Sequence, residues 1–409
     1  MTPLQPSSLD DALVRIRSVF GELAKGAAER DGTLEHPYAL VRDLADAGFG
    51  RLRLTRERGG FGVDLPTLFA LLAEAGQADS NIPQIWRGHF TTTEILRRER
   101  DPEAREHWSA VIASGAVFGN AQSEPSSVVA GLESTEDPSP ITTRVRTDRH
   151  GRRTVSGTKF YSTGSRFADY IRTAAVDDEG RRGFVVVSAR DTGVQHVDDW
   201  DGIGQRHTGS GTTILTDVPV EPHGDLGRDV DSLRGLDSFV QIVHLANLTG
   251  IARSVVAETV DVVRARTRTS RHALSQSAVA DPDVLAVVGR LQARRLTAET
   301  LLDRAAKALE AAHLAGDEAA YGDAYVETST AQVAVIEAVL DAATTAFDAG
   351  GSSTVRARLH LDRHWRNART LASHNPVIYK PRVIGDFLVN GTRPTSGYYA
   401  GRNKGEDAS

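Results

Sequence analysis

Gly157-Thr-Lys-Phe-Tyr-Ser-Thr-Gly-Ser165 is the most informative stretch of this 409-residue chain. Glycines at 157 and 164 allow turns on either side of Tyr161, and two small hydroxyls, Ser162 and Thr163, follow it. Alone, an aromatic beside Ser and Thr reads as ordinary strand packing. Its surroundings say more. From about Val117 to Pro222 the hydrophobic period is two. Arg153-Thr-Val-Ser156, Ile171-Arg-Thr-Ala-Ala-Val176, Gly183-Phe-Val-Val-Val-Ser188 and Thr212-Thr-Ile-Leu215 read as strands separated by Gly, Asp and Pro. Strands returning after short turns predict an antiparallel β domain.

On both sides the period becomes helical. Leu13, Ile16, Phe20 and Leu23 recur at three- and four-residue steps, as a one-faced helix requires. Tyr38, Leu40, Val41, Leu44 and Ala47 predict a second helix ending at Gly48. Arg58-Gly-Gly-Phe-Gly62 breaks the pattern, and Pro66 opens a third helix through Ala75. Beyond the strands, long helices are predicted near 230–266, 282–315, 318–349 and 354–372, punctuated by Asp281-Pro282 and Gly350-Gly-Ser-Ser-Thr354. The expected domains are helical over 1–117, β-barrel-like over 118–228 and a helical bundle over 229–400, with a polar tail at 401–409.

Composition narrows the function. The net charge of −6 gives no electrostatic footprint for nucleic acid. The N-terminus is polar, and no apolar run approaches the roughly 18 residues of a transmembrane helix. A soluble, cytoplasmic protein is the expectation. Cysteine is absent, which removes disulfides, thiol nucleophiles, Fe–S clusters and cysteine-ligated zinc; no metal site is expected. Methionine occurs only at position 1, and lysine only at 25, 159, 307, 380 and 404. With arginine common, this fits a GC-rich genome better than protection from oxidants.

Helical domain, β domain, helical bundle is an uncommon order, and with four motifs it resembles the acyl-CoA dehydrogenase fold over nearly the whole chain. The resemblance implies an N-terminal α-helical domain, a middle antiparallel β domain and a C-terminal four-helix bundle. Residues 157–165 resemble the segment that covers the flavin ring, so Tyr161 is the expected aromatic wall, with Ser162 and Thr163 near N5 and O4. Phe118-Gly-Asn-Ala-Gln-Ser-Glu-Pro125 resembles the segment under the flavin pyrimidine, which implies cofactor binding by Gln122 and Ser123. Asn120 there can donate and accept hydrogen bonds and so orient a substrate or a peroxide. Asp199-Trp-Asp-Gly-Ile-Gly-Gln-Arg-His-Thr-Gly-Ser-Gly211 is similar to a family loop, whose Arg206, His207 and Thr208 are placed to contact a substrate or a phosphate; hairpin chemistry explains its glycines equally well. Arg268 falls where a guanidinium meets flavin phosphate, often that of a neighbouring subunit. Ser352 and Ser353, read as lying just ahead of a helix, offer an anion site at its N-terminus.

Arg366-Asn-Ala-Arg-Thr370 followed by His374-Asn-Pro-Val-Ile-Tyr-Lys380 bears on the reaction. Acyl-CoA dehydrogenases of this fold commonly place a catalytic Glu where this chain has Asn375, and an amide cannot accept the substrate's α-proton. The segment instead resembles flavin monooxygenases of the dibenzothiophene and sulfone monooxygenase family, as does Gly88-His89-Phe90. That family often has a second histidine three residues before His374; here it is Leu371. The resemblance implies a two-component monooxygenase. Reduced FMN, with FAD as the alternative, would come from a separate reductase, react with O2 to a C4a-hydroperoxide, and oxygenate a small organosulfur compound or amine. Ser162, Asn120 and His89 are then the expected peroxide-binding groups and His374 the proton-exchanging one. A homotetramer is implied. The alternatives are an acyl-CoA dehydrogenase with a relocated base and a flavin-free scaffold.

Overall fold

The computed structural model describes residues 8–33, 35–124, 141–227 and 230–394. Pro125 and the expected polar tail lie outside them. The N-terminal region comprises α1 (Leu9–Gly32), α2 (Tyr38–Asp46), α3 (Leu65–Ala78), α4 (Asn81–Arg98) and α5 (Pro102–Ala113). Ile16, Phe20 and Leu23 are buried on α1, the face their spacing predicts. Side chains of Ser8, Asp64 and Asp101 accept backbone N–H groups and so begin α1, α3 and α5. In α4 every residue from Asn81 to Leu96 is buried, polar ones included. Arg53 and Glu94 pair there at 2.6 Å, and the hydroxyls of Thr91, Thr92 and Thr93 bond back to carbonyls four residues earlier.

The sheet contains β1 (Phe118–Ala121), β2 (Arg144–Thr147), β3 (Arg153–Phe160), β4 (Tyr170–Val176), β5 (Arg182–Ser188), β6 (Val194–His196) and β7 (Thr212–Pro219). Its order is β1-β4-β2-β3-β7-β6, with β5 also on β4. Pairing is mainly antiparallel as expected, but β1 joins β4 in parallel, from Phe118↔Tyr170 to Ala121↔Thr173. A bridge between Val187 and Val220 curls the sheet. Gly157 does not open a turn: it lies inside β3, at a register shift. Gly164 does, with φ 80°, and a Cβ there would meet the Ile85 carbonyl at 2.4 Å.

The C-terminal region runs through the short α6 (Val230–Leu233), then α7 (Leu236–Ala265), α8 (Pro282–Ala315), α9 (Glu318–Gly350), α10 (Asp362–Ser373) and α11 (Lys380–Asn390). The predicted bounds of α8 and α9 hold closely. The helix expected over 354–372 begins only at Asp362, because residues 351–361 form two short 3-10 turns. The reading that no apolar run approaches membrane-spanning length needs correcting. α7 reaches a mean hydropathy of 1.3 over 18 residues, yet 83% of that window is buried in the protein. It packs between α3, α4, α8 and α9, which joins both helical regions into one core. The sheet has its own core around Val155, Ile171, Val187 and Val218.

Candidate active site

A cavity of about 560 Å³ opens where the sheet meets the two helical regions. Five segments line it. α4 supplies Gln84 and Arg87, and the end of β1 supplies Asn120, Gln122 and Ser123. The turn after β3 brings Tyr161 and Thr163. The loop before β7 brings Trp200, Gln205 and Ser210, and α10 brings Arg369, Leu371 and His374. Glycine sets one of these approaches: a Cβ on Gly88 would lie 2.9 Å from that of Asn120, so α4 and β1 meet at close range there.

The end of β1 is pinned from behind. Lys159 is fully buried and its Nζ lies 2.7 Å from Glu124 and 3.3 Å from the Gln122 carbonyl. Glu124 also accepts hydrogen bonds from the backbone N–H and hydroxyl groups of Thr142 and Thr143. Burial alone would raise its pKa, but the ammonium and these hydrogen bonds hold it down at about 2. The ion pair fixes the backbone of Gln122 and Ser123 at the cavity's edge.

Tyr161 is held at φ 29°, a conformation that costs a bulky residue about 1–3 kcal/mol. Its ring stands edge-on to Trp200 at 5.8 Å, which makes an aromatic wall. Next to it runs a chain of hydroxyls. Thr208 donates to the Gln205 carbonyl at 2.8 Å. Its oxygen therefore accepts the Ser210 proton at 2.7 Å, and Ser210 accepts from Thr163 at 2.8 Å. The chain leaves the Thr163 oxygen presenting lone pairs, not a proton, to the cavity. Gln205, at φ 54°, is fixed by Asn367, whose Oδ1 accepts its backbone N–H at 2.6 Å.

His374 caps the end of α10, its N–H donating to the Leu371 carbonyl. The residue is exposed at the cavity's rim, and its ring is tilted against that of buried His244, with centroids 4.2 Å apart. Desolvation by the protein atoms packed around the ring, with the nearby Arg87 charge, lowers its pKa below that of a free imidazole. His374 is therefore neutral at pH 7, able to accept a proton at one nitrogen and donate at the other.

Of the expected site residues, Asn120, Gln122, Ser123, Tyr161, Thr163 and His374 come together in the cavity. Others do not. The Ser162 hydroxyl is buried and turned to the Lys159 carbonyl at 3.5 Å, away from the lining. His89 is fully buried; its Nδ1 accepts the Phe118 N–H at 3.2 Å, so Nε2 carries the proton and donates to the Gly50 carbonyl at 2.8 Å. Both nitrogens are thus taken, and its role in this structure is to anchor β1. Arg268 is exposed on the loop after α7 and does not line the cavity. Ser352 and Ser353 sit past the C-terminal end of α9, where the helix dipole is negative, so the expected helix N-terminus is absent there. Arg206 lines an open groove on the far side of the loop, His207 is buried against His36, and the Thr208 hydroxyl is spent within the chain described above. Gln205 and Arg369 also line the cavity from inside the quoted motifs but without an expected role, and Gln84 and Arg87 escape sequence reasoning, since nothing in their spacing aims them at one point.

The residues present fit a flavin ring: an aromatic wall, a hydrogen-bond acceptor at Thr163 for a ring N–H, and two lining amides, Gln84 and Gln205, whose buried Oε1 atoms have no hydrogen-bond partner.

Residues 17–116 match the acyl-CoA dehydrogenase N-terminal domain and residues 242–378 the acyl-CoA dehydrogenase C-terminal domain. The chain is 29% identical to a dibenzothiophene monooxygenase of Mycolicibacterium goodii, over 97% of this chain and 98% of the relative. It is also 29% identical to the probable FMNH2-dependent monooxygenase SfnC of Pseudomonas putida, over 98% of each. Among solved structures, FMN-bound TdsC from Paenibacillus sp. A11-2 aligns with a TM-score of 0.85 at 25% identity, over 95% of this chain and 99% of that one. Methanesulfinate monooxygenase MsuC from Pseudomonas fluorescens aligns with a TM-score of 0.83 at 26% identity, with the same coverage. Two domain matches and end-to-end likeness to solved members lead to one assignment: this chain belongs to the acyl-CoA dehydrogenase family.

Proposed function

We propose that this chain is a flavin-dependent monooxygenase that receives reduced FMN from a separate reductase and uses O2 to oxygenate a small organosulfur compound or amine. One observation carries the reading. Among the described residues that line the cavity there are amides, hydroxyls, arginines and a histidine, but no carboxylate. A dehydrogenase needs a base over the substrate's α-carbon, and losing a general base costs about 10²–10⁴ in rate. The names of the relatives support the same side of the family.

Bound reduced FMN would supply two electrons and the activation of O2. The chain's own residues supply the setting. Tyr161 and Trp200 wall the ring, Gln122 and Ser123 hold its polar edge, and Thr163 accepts a ring N–H. Asn120 orients whatever oxygen or substrate group lies between β1 and α10. Neutral His374 holds or moves a proton at one ring nitrogen, and Leu371 keeps that corner apolar. Arg268 binds the flavin phosphate of a neighbouring subunit in a cytoplasmic homotetramer.

The test is oxygenation with labelled oxygen. With a flavin reductase feeding reduced FMN under ¹⁸O2, sulfides, sulfones and amines are offered, and one label is expected in the product. Bleaching of bound oxidised flavin by any acyl-CoA under anaerobic mixing would overturn the reading in favour of a dehydrogenase. A chain that binds neither FMN nor FAD is a scaffold.

A further inference from the structure

Four arginines are buried among the described residues: Arg53, Arg87, Arg172 and Arg363. Three have partners. Arg53 pairs with Glu94 and Arg363 with Glu258, while Arg172 bonds the Leu226 carbonyl and lies over the Phe184 ring. Arg87 differs. It is 8% exposed, lines the cavity, and has a buried Nε with no hydrogen-bond partner. Burial draws its pKa down to about 10, which still leaves it charged at neutral pH. The cavity's other cation, Arg369, bonds Ser373 through Nη2. A guanidinium withdrawn from water without a counter-charge is expensive to keep, and its flat fork of donors matches a carboxylate or oxoacid. Gln84 lies one helical turn before it on the same face of α4, with a buried, unpartnered Oε1; its amide can add a hydrogen bond to the same group.

We propose that the cavity binds an organic anion, its carboxylate, sulfinate or sulfonate head held by Arg87 with Gln84 beside it. The anion is the substrate. This rests on the monooxygenase reading for what happens to the anion, not for its binding. It also gives Leu371 a meaning: recognition sits on α4, across the cavity from the α10 position where relatives often carry a second histidine.

Calorimetric titration of the full chain without flavin tests the binding directly. The probes are methanesulfinate, benzenesulfonate and benzoate, with dimethyl sulfone and methyl phenyl sulfone as neutral counterparts. At least one anion should bind tenfold or more tightly than its neutral counterpart. Arg87→Met should lose that tenfold or more, and Arg87→Lys should keep part of it. Equal affinity for anions and neutral probes, or for parent and Arg87→Met, would overturn the proposal. So would an Arg87→Met loss in FMN affinity as large as the loss for anions, because Arg87 would then serve the cofactor. If Arg87→Met does not fold, thermal shifts of the parent decide instead: protection by anions but not by sulfones supports the site, and equal protection by both overturns it. The two readings fail separately. Oxygenation of neutral substrates without anion binding would sink only the anion site. Anion binding with label found only in neutral products would keep the site but overturn the anion as substrate, and anion binding with no labelled product at all would count against the oxygenase.

Discussion

His374 combines three constraints: a helix end, an adjacent histidine ring and a nearby buried arginine. The end of α10 fixes its backbone, His244 lies against the ring, and desolvation with the Arg87 charge keeps it unprotonated. His374→Ala removes a proton carrier from the cavity rim without touching the core, so fold and FMN affinity should persist. Product formed per reduced FMN consumed should fall about tenfold or more, within the range expected for a lost acid–base group. Unchanged coupling would remove His374 from the chemistry. Tyr161 is a second single-residue device, a strained backbone flanked by N–H groups of Ser162 and Gly164 that donate to the Gly211 and Thr208 carbonyls.

The elements around the cavity are placed by buried polar groups. The end of β1 is held by Lys159, and its start by His89. Lys159→Met removes the ammonium 2.7 Å from buried Glu124. A loss of about 3–5 kcal/mol is expected in denaturant unfolding at pH 7, together with weaker FMN binding because Gln122 and Ser123 lose their anchor. A change below about 1 kcal/mol would show the pair to be dispensable. His89 makes a pH prediction. Burial lowers its folded-state pKa to about 4 from 6.5, so the unfolded chain binds the proton first. Its contribution to stability is complete above pH 6.5 and lost as pH falls toward 4, about 2 kcal/mol by pH 5. His89→Gln should therefore be less stable at pH 7 but show a flatter decline to pH 5. Parallel pH profiles would refute the assignment.

For the whole molecule, the question is what the exposed C-terminal surface meets. Leu274, Leu285, Leu296, Ile378, Leu388 and Val389 are each more than half exposed. Arg268 is exposed as well, outside its own chain's cavity. Both facts agree with a flavin phosphate received from a neighbouring copy. Arg268→Ala should weaken FMN binding about tenfold, as loss of a charge-assisted hydrogen bond does, and sedimentation should report four chains per particle for the parent. A monomeric parent, or equal FMN affinity for both, would remove the shared site.

Periodicity was enough for much of this protein. The changes from 3.6 to 2 and back located both helical regions and the sheet, and Asp281-Pro282 with Gly350-Gly351 bounded the long helices, because such signals act within a turn or two of the backbone. The motifs at 118–124, 157–165 and 366–380 named six cavity residues for the same reason: each travels on a short rigid segment. Where a side chain points when five segments converge was settled by packing. Ser162 and Thr163 are neighbours, yet only Thr163 faces the cavity, and His89 is consumed by two backbone partners from distant segments. Arg87 gave no local sign at all. Among the described residues no carboxylate pairs with it, and that depends on where the other segments of the folded chain came to rest.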